Sequence, residues 1–480
     1  MKTIHYASAL ATASLLMLAA CGGGEQADAL STPQAANAAT DTDTNAPGEA
    51  RVRGLAASAG PAVGTLVLVS ASAAGKASAG STGPCAISAD GGLVAFNADS
   101  ATLVAGDTNQ VNDVFLKNTR SGAISRVSTS SSGAQLPRGA TCVGMTPDGN
   151  SVVLQTAGYA VGCAYCDPQP PVDPAILVKN LRTGALTVVT PALSTLPSTT
   201  DFVFQSISDD GLRVAMLTIP ATRYLGGYLT VPLAPVHGLM RDLGNGSLIN
   251  LASQVALQTA QGFADVNALA LSPDGRKLAF TTRANVPATG DLNGKSDVFV
   301  LDLASRSTVL ASSNSAGVQA VLSGPPAYDP AHGLLGFVAG GSTLAFVAPG
   351  DSTLGAAGAY FKNLNTGAIR SVWASGTTEL PALSLSGDGN QAAFDRDIPN
   401  PTTQATPAVW VRNLLTGQET RVNTKASGVV GNNAARLAMI SRDGSTVGFQ
   451  SNATNLVSAA RVSYIYEIFA KTVNAAAPGL

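Results

Sequence analysis

The sequence predicts an all-β fold, a seven-bladed β-propeller built of four-stranded antiparallel blades. Three observations lead to this prediction: a strand–turn–strand pattern recurs along the chain, glycine-rich turns stand at fixed places in each copy, and no stretch has helical periodicity. The composition agrees, because 45% of the residues are apolar, only 12% are charged, and 50 are glycine. Such a chain is typical of short strands joined by tight turns.

The repeat centres on an Asp-Gly turn between two strands. A short apolar strand leads into Ser-x-Asp-Gly or Thr-x-Asp-Gly, and an alternating strand follows. The turn aspartates are spaced 55 to 64 residues apart, except for one interval of 114, and they are Asp90, Asp148, Asp210, Asp274, Asp388 and Asp443. A degenerate copy with Gly340-Gly341 lies inside the long interval, so the sequence predicts seven units.

Each unit continues with a second hairpin. At residues 114–122, 177–184, 360–367 and 410–417, an apolar strand ends at Asn and a Gly follows four residues later. The Asn side chain can accept hydrogen bonds from the backbone of the turn, and the Gly can adopt a positive φ. Both properties favour a hairpin turn. Four strands in each unit are typical of propeller blades.

The two ends of the repeat region complement each other. The seventh unit has a third strand near residues 464–471 but no room for a fourth, and residues 65–70 read as a strand without a partner of its own. We expect the N-terminal strand to complete the last blade, which removes open sheet edges.

These motifs resemble a known repeat. Ser-Pro-Asp-Gly-x-x-Leu-Ala-Phe at residues 272–280 and Asn-Leu-x-x-Gly at residues 180–184 resemble the TolB-like, WD-related propeller repeat of bacterial envelope proteins. The resemblance covers about residues 61–475 and implies a six- to eight-bladed propeller in the cell envelope. The family's namesake carries an additional N-terminal α/β domain, where this sequence has a tether. The repeat by itself specifies neither a ligand nor a reaction.

The N-terminus has the features of a lipoprotein. Residues 1–20 form a signal peptide with one charge and a short apolar run, and Leu18-Ala19-Ala20-Cys21 resembles the bacterial lipobox, in which the Cys is acylated. Residues 21–60 read as a flexible tether before a propeller over residues 61–480. The acyl chains at Cys21 would hold the protein on a membrane. Gly22 after the Cys indicates the outer membrane, with the side unspecified.

Several function classes are set aside. The formal charge of −2 without a basic cluster predicts no nucleic-acid partner. Only three His residues are present, so we do not expect an active site that depends on His side chains. The Gly-x-Ser-x-Gly elbow of serine hydrolases is absent from the sequence.

Two loops carry an acidic pattern that suits a hard cation. Asp107, Asn109 and Asp113 precede one Val-Phe strand, and Asp291, Asn293 and Asp297 precede another, in the form Asp-x-Asn-x-x-x-Asp. Carboxylate and amide oxygens at this spacing suit Ca²⁺. The alternative is that Asp and Asn form turns that pin the loop, and the missing bidentate Glu of an EF-hand favours that alternative.

Four cysteines remain after Cys21: Cys85, Cys142, Cys163 and Cys166. An oxidising envelope favours disulfides, and four cysteines allow three pairings. The sequence favours Cys85 with Cys142, across adjacent blades, and Cys163 with Cys166. A redox pair at residues 163–166 lacks the usual strand–helix context, and a four-Cys zinc site is a further alternative.

The predicted function is a non-catalytic, membrane-tethered binding or scaffold propeller with a protein partner in the envelope. We expect recognition on the loop face, the end of the blades that carries the second-to-third-strand and blade-to-blade connections, because the other end carries only tight turns. One alternative is an envelope enzyme, a lyase or hydrolase that uses carboxylates on that face. Asp209 with Asp210 and Asp395 with Asp397 are carboxylate pairs, although turn chemistry explains them as well. Another alternative is a structural subunit of an envelope complex.

Overall fold

The fold is described from a computed structural model. It covers residues 61–78, 80–156, 175–196, 199–220, 222–225, 228–232, 236–257, 266–320, 334–374, 382–399, 406–458 and 465–475. The predicted signal peptide and tether, Cys21, Cys163 and Cys166 lie outside the described residues.

Thirty strands and a few short helices make up the described part of the chain. The first fifteen strands are β1 (Leu66–Leu68), β2 (Ser81–Ile87), β3 (Leu93–Ala98), β4 (Asp113–Asn118), β5 (Ile124–Arg126), β6 (Thr141–Met145), β7 (Ser151–Thr156), β8 (Ala175–Asn180), β9 (Leu186–Val188), β10 (Thr199–Ile207), β11 (Arg213–Pro220), β12 (Thr222–Leu225), β13 (Tyr228–Pro232), β14 (Gly238–Asp242) and β15 (Leu248–Asn250). The next fifteen are β16 (Val266–Leu271), β17 (Lys277–Thr282), β18 (Asp297–Asp302), β19 (Thr308–Leu310), β20 (Leu335–Val338), β21 (Thr343–Ala348), β22 (Gly358–Asn363), β23 (Ile369–Ala374), β24 (Ser384–Leu385), β25 (Gln391–Ile398), β26 (Thr406–Asn413), β27 (Glu419–Arg421), β28 (Ala435–Ile440), β29 (Thr446–Ser451) and β30 (Glu467–Thr472). The helices are α1 (Leu251–Gln254) and three 3₁₀ turns, Leu193–Thr195, Pro287–Thr289 and Ala339–Gly341. In the described residues no helix has the length and apolar character that a membrane crossing requires.

The strands form seven four-stranded antiparallel sheets, so the predicted seven-bladed propeller is confirmed. Blade 1 is β2–β5, blade 2 is β6–β9, and blade 3 is β10, β11, β14 and β15. Blades 4, 5 and 6 are β16–β19, β20–β23 and β24–β27. Blade 7 is β28, β29 and β30 with β1 as its outermost strand. The remaining pair, β12 and β13, is a hairpin inserted between the second and third strands of blade 3.

The N-terminal strand closes the ring, as the sequence predicts. β1 pairs antiparallel with β30, with Leu66 opposite Lys471 and Leu68 opposite Phe469. The first and last strands of the propeller are therefore held in one sheet, and β1 covers the edge of β30 that would otherwise be unpaired.

One hydrogen-bond pattern builds the Asp-Gly turn. In blade 4 the Ser272 hydroxyl donates to Asp274 Oδ1 at 2.6 Å and accepts the Lys277 N–H at 2.9 Å, while Asp274 Oδ1 also accepts the Arg276 N–H. The same three bonds recur around Asp90, Asp148, Asp210, Asp388 and Asp443. Blade 5 has the 3₁₀ turn at Ala339–Gly341 in this place. The turns lie on the end of the blades opposite the loop face, here called the turn face.

Successive turns are also bonded to each other around the channel mouth. The residue between Ser or Thr and Asp donates its N–H to the next blade, as in Ala89 to the Pro147 carbonyl and Asp209 to the Pro273 carbonyl. Equivalent bonds link blades 5 to 6 and 6 to 7, while blade 7 is linked to blade 1 by the Asp443 N–H, which donates to the Ala89 carbonyl. In blades 2 and 4 this residue is Pro147 or Pro273, which has no N–H to donate.

Hairpin straps clamp four of the blade junctions on the outside of the ring. After the fourth strand of blade 1 the chain folds back, with Thr129 bridged to Gln135, and the strap reaches the next blade. There the buried Lys179 ammonium donates to the Ser130 carbonyl at 2.7 Å. The same contact joins Lys117 to Ala71, Lys362 to Ser313 and Lys471 to Thr424. Burial lowers the pKa of each of these lysines, but the carbonyl acceptors compensate the buried charge.

The apolar core lies between neighbouring blades. The second strands contribute buried phenylalanines such as Phe96, Phe280 and Phe449, and the third strands supply their aromatic partners. Phe280 and Phe299 stack with their ring centroids 5.2 Å apart. Each blade therefore depends on both neighbours for its burial, which is the usual reason that such repeats are stable only as a closed array.

The turn glycines support a prediction about blade packing. Gly149 has a φ of +71°, and a Cβ there would lie 2.5 Å from Leu93 Cδ1 of the preceding blade. Gly149→Ala therefore combines left-handed backbone strain of about 1–2 kcal/mol with overpacking of about 1–3 kcal/mol. We expect a clear drop in the free energy of unfolding, measured by chemical denaturation.

Gly184 in the same blade is the matched control. Its φ is +77°, but the nearest atom to an added Cβ is 3.7 Å away. Gly184→Ala should cost only the backbone term of about 1–2 kcal/mol. If the two variants lose the same free energy of unfolding, contact between blades is not the reason for glycine in the Asp-Gly turn.

Candidate functional site

The first acidic loop lies on the loop face of blade 1 and is organised by a glutamine. Gln135 Nε2 donates to both Asp107 Oδ1 and Asp113 Oδ2 at 2.9 Å. The Ser128 hydroxyl donates to the other oxygen of Asp113, whose side chain is fully buried. Asn109 does not turn its oxygen toward the carboxylates, since its Nδ2 donates to the Leu136 carbonyl at 2.9 Å.

The second acidic loop repeats this arrangement in blade 4. Gln319 Nε2 donates to Asp291 Oδ1 at 2.7 Å and to Asp297 Oδ2 at 2.8 Å. The Ser312 hydroxyl donates to Asp297 Oδ1 at 2.6 Å, and Asn293 Oδ1 accepts the Lys295 N–H at 2.7 Å. The structure therefore brings the two aspartates of each loop together, with an amide group between them.

The two clusters differ in charge. In blade 1 the Arg126 Nη1 lies 3.4 Å from Asp107 Oδ1 and 3.9 Å from Asp113 Oδ2. The position equivalent to Arg126 in blade 4 is Leu310, because these residues face Phe115 and Phe299 in the same register. Burial raises the pKa of Asp297 to about 6, and the neighbouring Asp291 carboxylate adds to the rise, against the hydrogen bonds from Ser312, Gln319 and Asn293.

A third carboxylate of this kind was not predicted from the sequence. Glu467 begins β30 in blade 7, is buried, and accepts hydrogen bonds from the hydroxyls of Ser70 and Ser78. Ser70 also accepts the Ile468 N–H at 2.9 Å, as Ser128 and Ser312 do for the residue after their aspartates. An acidic residue before an Ile-Phe or Val-Phe pair is the sequence signal that would have identified it.

These contacts support loop pinning as the role of the acidic clusters. The carboxylate oxygens accept bonds from glutamine, serine and backbone donors, and the Asn oxygens cap their own loops. Across the described residues, no three His, Cys, Asp or Glu side chains come together in a way that could hold a metal ion. The calcium hypothesis rests on the sequence pattern and stays a prediction.

A disulfide joins the first two blades at the channel wall. Cys85 of β2 and Cys142 of β6 are bonded, with their Cα atoms 5.8 Å apart, and they close a segment of 57 residues. Both residues belong to innermost strands, so the bond ties the inner edges of adjacent blades. This is the pairing that the sequence favours for these two cysteines.

The other carboxylate pairs have identifiable partners. Asp210 is the turn aspartate of blade 3, whereas Asp209 forms an ion pair with Arg442 of blade 7. Asp395 accepts backbone N–H bonds from Leu437 and Ala438, where Leu437 has a φ of +56° in a bulge of β28. Asp395 thus stabilises an unusual backbone conformation at the channel wall.

The chain resembles several solved structures in fold. An oligogalacturonate lyase in complex with manganese is 14% identical, with a TM-score of 0.46 over 81% of this chain and 88% of that chain. An oligogalacturonate lyase from Vibrio parahaemolyticus is 11% identical, with a TM-score of 0.48 over 85% and 90%. TolB from Acinetobacter baumannii is 15% identical, with a TM-score of 0.37 over 69% and 64%. No protein-family model and no curated protein matches the chain. At these identities the resemblance concerns the fold alone.

Calcium and loop pinning predict different melting behaviour. Because the protein's own donors already satisfy the carboxylates, we expect the melting temperature to be the same in Ca²⁺ and in excess chelator. A bound ion would instead stabilise the native state, by about 2.7 kcal/mol at a hundredfold its dissociation constant. A Ca²⁺-dependent rise in wild type that disappears in Asp107→Ala with Asp291→Ala would overturn loop pinning and establish the cation sites.

Proposed function

We propose that this protein is a membrane-tethered envelope lipoprotein whose propeller binds or scaffolds a partner without catalysing a reaction. The signal peptide, the lipobox-like Cys21 and the tether support the anchor, and the acyl chains make the membrane its first partner. The lipobox and Gly22 favour the outer membrane.

The observation that carries the binding assignment is the contrast between the two faces of the ring. The turn face repeats one set of hydrogen bonds in six blades, and its aspartates are occupied by that set. The loop face is less regular, since blades 1 and 4 share an acidic cluster whereas blade 3 has an inserted hairpin. Irregular loops on a rigid scaffold are the usual place for recognition.

Blade 3 carries a distinctive element of the loop face. The connection between β11 and β14 contains the β12–β13 hairpin, with Leu225 opposite Tyr228. A partner can bind a two-stranded hairpin as one unit, so we propose the primary contact there.

The binding assignment is tested by capture from detergent-solubilised envelope. The full chain, cross-linked in cells and purified, should retain a discrete envelope protein. Replacing residues 222–232 by a short Asn-Gly turn should abolish retention, because the turn can join β11 to β14 while the hairpin is lost.

Arg276→Ala is the matched control on the turn face, where this side chain is 77% exposed. The control should retain the same partner as wild type. If wild type retains no specific protein, or if the hairpin replacement retains it unchanged, the proposed recognition surface is wrong.

The anchor has its own test in Cys21→Ala. Without the thiol no acyl chain can be attached, so we expect the protein to leave the membrane fraction or to stay unprocessed. Fractionation and mass spectrometry of the N-terminal peptide measure this. Unchanged membrane association of the variant, with an unmodified N-terminus in wild type, would contradict the lipoprotein assignment.

A further inference from the structure

An ion pair crosses the turn-face mouth of the central channel. The position between Ser or Thr and Asp in the turns lines this mouth, and six blades have Ala89, Pro147, Asp209, Pro273, Gly387 and Arg442 there. Asp209 and Arg442 are the charged members of that set. They belong to blades 3 and 7, which are not neighbours, and Arg442 Nη1 donates to Asp209 Oδ2.

A cavity of about 290 Å³ with both polar and apolar walls lies against this ion pair inside the channel. Its wall is formed mainly by innermost strands, with Ile207, Leu271, Phe337 and Leu385 among the lining residues. This volume is at the lower end of the range for small-molecule sites, and apolar walls with a few polar groups are typical of them.

The reach of Arg442 across the mouth is built into the neighbouring blade. A Cβ at Gly387 would lie 2.3 Å from Arg442 Cγ, and the backbone of Gly387 does not require glycine for its φ. Glycine is therefore needed there because the aliphatic part of Arg442 lies against it. The absence of a side chain in this turn of blade 6 therefore leaves space for the Arg442 side chain.

The ion pair is not required by the turn in which either residue stands. The other turns keep the same hydrogen bonds with Ala, Pro or Gly in this position. Burial raises the pKa of Asp209, and Asp210 and Asp148 add to this by repulsion, while Arg442 opposes it. Because 39% of the Asp209 side chain is exposed, an incoming anion can reach the guanidinium and replace this partner.

We propose that the channel binds a small amphipathic carboxylate, whose carboxylate group takes the place of Asp209 on Arg442 while its apolar body fills the cavity. Arginine recognises carboxylates with two parallel N–H bonds, and the cavity wall offers apolar contacts to the remainder of such a ligand. The inference deepens the proposed binding function by giving the channel a ligand class, and it does not depend on the anchor or on the hairpin partner.

The test uses the full chain in detergent with three probes of one length: hexanoate, 1-hexanol and hexylamine. At neutral pH we expect hexanoate to bind in calorimetry and ligand-detected NMR, and the amine and alcohol to bind at least about tenfold more weakly, as expected for a lost charged hydrogen bond. Arg442→Met should weaken hexanoate binding by about tenfold or more. Asp209→Asn should tighten it, because the internal competitor for Arg442 is neutralised.

Arg276→Met is the matched control, since Arg276 stands in the equivalent turn of blade 4 with its side chain exposed. It should bind hexanoate like wild type. Should Arg442→Met fail to fold, the gain in Asp209→Asn remains a sufficient readout. Absence of hexanoate binding in both wild type and Asp209→Asn, or binding that Arg442→Met leaves unchanged, would overturn the proposal, while the capture and fractionation results would stand independently.

Discussion

Closure of the ring is the constraint on which the rest of this structure depends. The apolar core lies between blades, so a blade without a neighbour would expose one face of its sheet. β1 supplies the last strand of blade 7, and turn-to-turn bonds such as Asp443 N–H to the Ala89 carbonyl join the last blade to the first. Adjacent blades approach closely at the turns, since a Cβ at Gly149 would lie 2.5 Å from Leu93 Cδ1.

The straps extend the same principle to the outside of the ring. A buried ammonium without acceptors would be strongly unfavourable, yet Lys362 meets the carbonyls of both Ser313 and Asn314. The strap supplies carbonyl groups that would otherwise face solvent, so one contact satisfies the lysine and fixes the strap. The acidic clusters act at the base of two of these straps, where Gln135 and Gln319 connect the strap to the loop before the third strand. Strap, loop and lysine therefore stabilise one another.

The sequence was sufficient to predict the propeller because its signals are local and repeated. Asp-Gly and Asn-x-x-x-Gly turns are determined by a few adjacent residues. Because the unit occurs seven times, the sequence also predicts the number of blades and the strand that closes the ring. The contacts that matter at the candidate sites are not local. Asp107 belongs to an acidic pattern that the sequence shows, but Gln135 lies 28 residues away and nothing in that pattern identifies it as the partner. The pairing of Asp209 with Arg442 joins positions 233 residues apart, so it depends on the ring geometry itself.

These contacts distinguish two kinds of buried and half-buried charge in this protein. Lys117, Lys179, Lys362 and Lys471, together with the acidic clusters, occupy recurrent positions and bond to groups that the repeat always provides. Asp209 and Arg442 interrupt a position that other Asp-Gly turns fill with Ala, Pro or Gly, and their side chains pair with each other across the channel. A partly exposed ion pair contributes little net stability, so stability is a poor reason for charges to occur there. A position that departs from the repeat, adjoins a cavity with apolar walls on one side and carries a displaceable partner is better explained by recognition than by folding.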